Sequence, residues 1–298
     1  MLNLKTSLME TKNVLLFAFF LLKFLLQYFL ISPEYDLQRD EYLHLDMANH
    51  LAWGYLSVPP LTSWVSYLIQ LLGNSVFWVK FFPALFGALT MVVVWKAIEE
   101  LGGGMYALIL GAACVLFSVL LRLNTLYQPN SFDVLAWTTF YFVVLKYINT
   151  KEDRYLLIGA VVFALGFLNK YNIAFLPVGM CPALLLSEHR RVLCKRSFYG
   201  ALLLALLLVS PNLFWQYEHG FPVLHHLRQL SELHLVNVDR HGFIKAQLLF
   251  FAGAIFVWGA GLYALVAYPS FRPAGNAGHY AAVLGDPRTW GITLRYSL

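Results

Sequence analysis

Long apolar runs and short polar breaks alternate along almost the whole chain. The first run, "VLLFAFFLLKFLLQYFLI", ends at Ile31, and further runs predict helices at about 76–98, 104–122, 132–148, 155–169, 172–186, 198–214 and 243–267. A bilayer is crossed by about 20 apolar residues, so the pattern predicts about eight spans and an all-α polytopic membrane protein. Two stretches break the alternation. "YDLQRDEYLHLDMANHLAWGYLSVPPL", residues 35–61, is polar and aromatic, and "SPE" at 32–34 opens it with a helix-start signal. "PPLTSWVSYLIQLLG", 59–73, is amphipathic and too short to span, so it is expected to lie along the membrane surface. Pro83 falls inside the second run, where neighbouring helices can re-satisfy the backbone. A long polar loop is expected over about 215–242. The last thirty residues, rich in Gly, Pro and Ala, form no further span. We therefore divide the chain into a membrane domain, 1–268, with a first outward loop at 32–75, and a flexible or aberrant tail, 269–298, as a truncation or a shifted reading frame would leave.

Composition agrees with this class. Of 298 residues, 59% are hydrophobic and 12% charged, against about a quarter charged in soluble domains. The net charge of +5 is no sign of a nucleic-acid partner, because the positive residues sit in short loops. Lys5, Lys12, Lys96, Lys146, Lys151, Arg154, Arg190, Arg191, Lys195 and Arg196 fall on one side of the alternation, which the positive-inside rule makes cytoplasmic along with the N-terminus. A cleaved signal peptide is the rival account of the first run, but no small-residue cleavage site follows it. Lys23 within that run is costly unless it snorkels or faces a cavity. Cys114, Cys181 and Cys194 are scattered and suggest neither disulfides nor a metal site.

The same alternation gathers the unusual polar residues on the outer side. If "RDEYLH" is helical, Asp36, Asp40 and His44 form one stripe, fit for a general base or a metal ligand. The plainer account is a solvated helix with capping acids. Asp133 of "QPNSFD", with Ser131, could simply cap the fourth span. Lys170 of "NKYN" is either a snorkelling lysine or a cation for a lipid phosphate, and Arg39 and Arg122 share that ambiguity. The four-histidine segment around 219–234 lacks a metal-ligand spacing.

The order of these segments resembles a known group. "RDE", "HLAWGY..PPL", "QP.SFD", "NKYN...LP" and "SPNL.WQ..HGFP.L.HL", read in sequence over about residues 10–265, are similar to glycosyltransferase family 39, the protein O-mannosyltransferases and lipid A aminoarabinose transferases. The resemblance implies a GT-C-type helical bundle with its active site at the outer face. It also implies transfer, with inversion, of a sugar from a polyprenyl phosphate carrier to a hydroxyl on a glycan, lipid or protein. Residue by residue, it implies Asp40 as the catalytic base with Glu41 beside it, and Asp133 as the second outward acid. Lys170 is then the contact for the carrier phosphate, with Arg39 and His50 as further substrate contacts. A divalent metal held by Asp40 and Asp133 is the one cofactor it suggests. The partners implied are the lipid-linked donor, the acceptor and the cell-membrane bilayer. The chain departs from the pattern at Val58, where many relatives carry His or Lys before the "PP". A multi-pass transporter or flippase, or an inactive fragment, is the alternative reading.

Overall fold

The computed structural model describes residues 2–31, 37–233, 239–250 and 259. Among these, every regular element is a helix. In chain order they are α1 (Leu2–Leu30), α2 (Arg39–Asp46), a 3₁₀ turn (Met47–Asn49), α3 (Leu61–Leu71), α4 (Val76–Glu100), α5 (Met105–Leu116) and the single turn α6 (Leu120–Leu123). Then follow α7 (Pro129–Thr150), α8 (Arg154–Asn169), a 3₁₀ turn (Tyr171–Ala174), α9 (Phe175–Leu186), a second 3₁₀ segment (Glu188–Cys194), α10 (Arg196–Glu218), α11 (Pro222–Leu233) and α12 (Arg240–Phe250). The protein is an all-α integral membrane protein. Among the described residues, four helices are long and apolar enough to cross a membrane: Met9–Leu30 of α1, α4, α7 and α10; α5, α8 and the Tyr171–Leu186 segment are shorter apolar helices. The eighth expected span begins in α12 and continues outside the described residues, as does the tail. "SPE" and Asp36 also lie outside them.

Two expectations are corrected. The third run is not one helix, because it breaks at Phe117–Val119 between α5 and α6, where the Ser118 hydroxyl bonds the Val115 carbonyl and the Leu120 amide. Such local bonds compete with the helical ladder. The expected polar loop after the seventh run is instead largely helical over its described residues: α10 runs on to Glu218, and α11 follows after a turn at His219–Phe221. By contrast, α4 continues through Pro83 as expected.

Helices α1, α4, α7, α8 and α10 pack in that order, with α5 against α4 and α1. Met91, Val94, Trp95 and Ile98 of α4 meet Leu108, Ala112 and Val115 of α5 in the main core. Inside a bilayer, burial from water does not hold helices together, so close contact and polar bonds must do so. Gly87 of α4 illustrates this: a Cβ there would collide with the Asn124 side chain. That space admits Lys23, which neither snorkels nor faces an open cavity. It is fully buried and donates to Asn124 Oδ1 at 2.9 Å. Asn124 Nδ2 in turn donates to Ser131 Oγ at 3.0 Å, and Gln27 Nε2 to the Leu121 carbonyl at 3.1 Å.

The bundle has two unlike ends. At one, Lys12 and Lys96 pair with Glu99, Lys146 and Asn149 contact Glu100, and Lys195 reaches Asp153 at 2.7 Å. At the other, α2 and α3 cover the ends of α4, α7 and α8.

Candidate active site

α2 begins with a reciprocal cap. Gln38 is extended and its side chain receives a backbone N–H, while Glu41 Oε2 accepts the Gln38 amide at 2.8 Å. Glu41 is completely buried, and a buried carboxylate needs partners for its charge. Lys80 of α4 supplies them, with Nζ at 2.6 and 2.8 Å from the two oxygens. The Tyr127 amide donates to Oε1 at 2.7 Å. One side chain thus ties α2, α4 and the entry to α7 together. The Tyr127 hydroxyl is fixed below it, donating to the Thr62 carbonyl at 2.9 Å and lying 2.8 Å from Ser66 Oγ. Burial pushes that phenol well above its ordinary pKa. The arrangement fixes the backbone on either side: Asp40 precedes Glu41, and Gln128 follows Tyr127.

These two neighbours meet. Gln128 Nε2 donates to Asp40 Oδ2 at 3.2 Å, while Arg39 contacts Oδ1 at 3.3 Å. Asp40 is half exposed, its side chain retaining 45% of its accessible surface, and Arg39 is almost wholly exposed. The contacts continue inward: Asn130 Nδ2 donates to Gln128 Oε1 at 3.0 Å and Lys170 Nζ to Asn130 Oδ1 at 2.8 Å. Lys170 Nζ stands 4.0 Å from Asp133 Oδ2, which accepts from Asn172 Nδ2 at 2.7 Å. Asp40, Lys170 and Asp133 therefore belong to one polar chain, joined by Gln128 and Asn130.

Local chain geometry explains this convergence. Gln128 is extended and Pro129 takes the first position of α7, where its missing N–H costs nothing. Asp133 thus lies a turn inside α7 and is buried, so it is not the cap that the plainer reading of "QPNSFD" allowed. α8 stops because Lys170 is extended, and Asn169 Nδ2 holds the Pro129 carbonyl at 2.8 Å.

His50 lies apart from this chain, exposed on the loop after α2, with its carbonyl bonded by the Tyr55 hydroxyl at 2.9 Å. His44 turns inward and is buried, with no partner for Nδ1 among the described residues; burial lowers its pKa against the opposing pull of Asp40 and Glu41. The loop is docked on α10: Asn212 Nδ2 donates to the Trp53 carbonyl at 2.6 Å, and Gly54 packs where a Cβ would strike the Trp215 ring. His219 stacks on Trp215.

The donors do not fit a divalent ion shared by Asp40 and Asp133. Among the described residues no three His, Cys, Asp or Glu side chains form a ligand group. Between the two acids stand two carboxamides and the Lys170 ammonium, which already supplies positive charge beside Asp133.

Sequence reasoning missed Lys80, Gln128, Asn130 and Asn172. Lys80 was hidden in an apolar run. The amides were visible only as parts of "QPNSFD" and "NKYN", next to the acids and lysine that drew notice.

Residues 57–215 match the family model described as dolichyl-phosphate-mannose-protein mannosyltransferase. That segment contains Lys80, Gln128, Asn130, Asp133 and Lys170 and begins after Asp40 and Glu41. The chain is also similar to lipid A galacturonosyltransferase RgtD of Rhizobium johnstonii, with 23% identity over 238 residues, covering 78% of this chain and 49% of that protein. It thus spans about half the length of that relative.

Proposed function

Since this chain belongs to the dolichyl-phosphate-mannose-protein mannosyltransferase family, we propose that it is a membrane glycosyltransferase moving a sugar from a polyprenyl phosphate to an acceptor hydroxyl. The polar chain from Asp40 to Asp133 is the observation that carries this reading. It sets an accessible carboxylate and a half-exposed lysine at the same end of the bundle.

The acceptor oxygen attacks the anomeric carbon while Asp40 takes the hydroxyl proton. The bond from that carbon to the phosphate oxygen breaks on the opposite face, so the configuration inverts, and the phosphate leaves with the electron pair. Its charge is met by Lys170, with the exposed Arg39 beside Asp40 as a second cation. Glu41 in this account is a positioning residue, since Lys80, Tyr127 and Gln38 already occupy its oxygens. The end bearing Asp40 faces outward, and the end rich in paired lysines faces the cytoplasm of the cell membrane.

Membranes containing the protein are incubated with a radiolabelled polyprenyl-phosphate sugar. Transfer of label to a water-soluble or lipid acceptor supports the reading. The buried Lys23 and the broken third helix favour a second reading, transport through the bundle. Substrate counterflow without transfer would establish that one instead.

A further inference from the structure

A cleft of about 390 Å³ opens on the side of α2 away from Asp40. On a helix, residues three and four apart share a face. Tyr42, Leu45 and Asp46 do so and line the cleft, while Asp40 projects about 160° from Tyr42 around the helix axis. Asn49 from the following turn, Gln70 at the end of α3, and Asn74 complete its polar lining. Asn74 is held at a left-handed φ of 52°, directly after Gly73 at 97°. Asparagine tolerates that conformation better than most residues.

We propose that this cleft binds a neutral sugar unit of an acceptor glycan, at a position separate from the reacting hydroxyl. The identification of the ligand as an acceptor rests on the transferase reading above; the binding of sugar there does not.

The chemistry of the lining selects the ligand. Among the described residues no cation lines the cleft, and Asp46 would repel a phosphate or a carboxylate, so neither the carrier headgroup nor an acidic sugar suits it. Leu37, Leu45 and Val76 share the lining with three carboxamides, a phenol and Asp46, and an isoprenoid chain would leave those polar groups without partners. Each carboxamide presents a donor and an acceptor side by side, as vicinal sugar hydroxyls do. The groups are also held in place before any ligand arrives. Gln70 Nε2 donates to Asn49 Oδ1 at 2.9 Å, and Asn49 Nδ2 donates to Asp46 Oδ1 at 3.0 Å. Among the described residues this leaves Asp46 Oδ2, Gln70 Oε1 and the second amide hydrogens of Asn49 and Gln70 without a hydrogen-bond partner. The volume lies in the range of small-ligand pockets, about 300–1,000 Å³, and Tyr42 and Val76 expose apolar surface at the rim. An α-helix with its side chains is about 10 Å across. A glycan seated here would therefore cross α2 to present a hydroxyl at Asp40, which requires more than one sugar unit.

The test is saturation-transfer NMR on the full chain in lipid nanodiscs, with mannotriose, maltotriose and chitotriose as probes and inorganic phosphate as a control. At least one trisaccharide is expected to bind, and phosphate is not. Asn49→Leu with Gln70→Leu should weaken binding by at least about fivefold, as loss of one or two hydrogen bonds would. Lys195→Met, at the other end of the bundle, should leave binding unchanged. Asp46→Ala, at an exposed position, serves as a second variant should the first pair fail to fold, and the same loss is expected of it. Binding of no trisaccharide, competition by phosphate, or equal binding by the cleft variants would overturn the proposal. Sugar binding without any transfer activity would uphold the cleft and count against the transferase reading alone.

Discussion

The two ends of the bundle carry similar residue types and use them differently. At the Glu99–Glu100 end, charges pair across neighbouring helices in reach of water: Lys195 and Asp153 keep 39% and 50% of their side-chain surface. Such pairs contribute little to stability because water already solvates both partners. At the Asp40 end, Glu41 has lost all contact with water and its partner Lys80 keeps 13%. There the two charges have given up solvation and depend on each other. The comparison teaches that residue type alone does not mark the site. What marks it is charge withdrawn from water next to charge left accessible, Glu41 beside Asp40.

The sharpest way to break this contrast is to remove one member of the buried pair. Lys80→Met leaves Glu41 charged with two amide donors, and stability should fall by about 3–5 kcal/mol in denaturant titration. Adding Glu41→Leu should recover part of the loss. Lys195→Met, the matching change at the other end, should leave the unfolding midpoint where it is. Next in size is Lys170→Met, which should slow sugar transfer about 10²-fold at unchanged stability, as loss of a group that stabilises developing charge does. Gln128→Leu frees one oxygen of Asp40 and should reduce transfer about five- to tenfold, the worth of one hydrogen bond.

The smallest effect is on pH dependence. Burial lowers the pKa of His44 below its ordinary 6.5. The unfolded chain therefore binds this proton more readily, and the contribution to stability is fully present above pH 6.5 and lost as pH falls toward the lowered folded value. Unfolding midpoints measured across that window should decline for the native chain and decline less for His44→Gln.

The apolar runs and the lysine bias make the membrane class, the helix order and the common side of Asp40, Asp133 and Lys170 legible in the sequence. The connection among those three residues is not legible there. Gln128 and Asn130 are neutral amides with no periodic signal, and only the extended residue before Pro129 and the end of α8 at Lys170 bring them between the charges. Lys80 lies within a run whose apolarity suggests a plain span. Its pairing with Glu41, 39 positions earlier, depends on how α2 folds over α4. For the same reason the adjacent acids look interchangeable as candidate bases. On a helix their side chains project about 100° apart, which here separates the buried Glu41 from the half-exposed Asp40.

That separation gives the most direct test. Transfer from a radiolabelled polyprenyl-phosphate sugar and the unfolding midpoint are measured together for Asp40→Asn and Glu41→Gln. The account predicts that Asp40→Asn loses about 10²-fold or more of its transfer rate at a native midpoint, whereas Glu41→Gln unfolds earlier and keeps measurable transfer while folded. Full transfer by Asp40→Asn, or total loss in a stably folded Glu41→Gln, would contradict it.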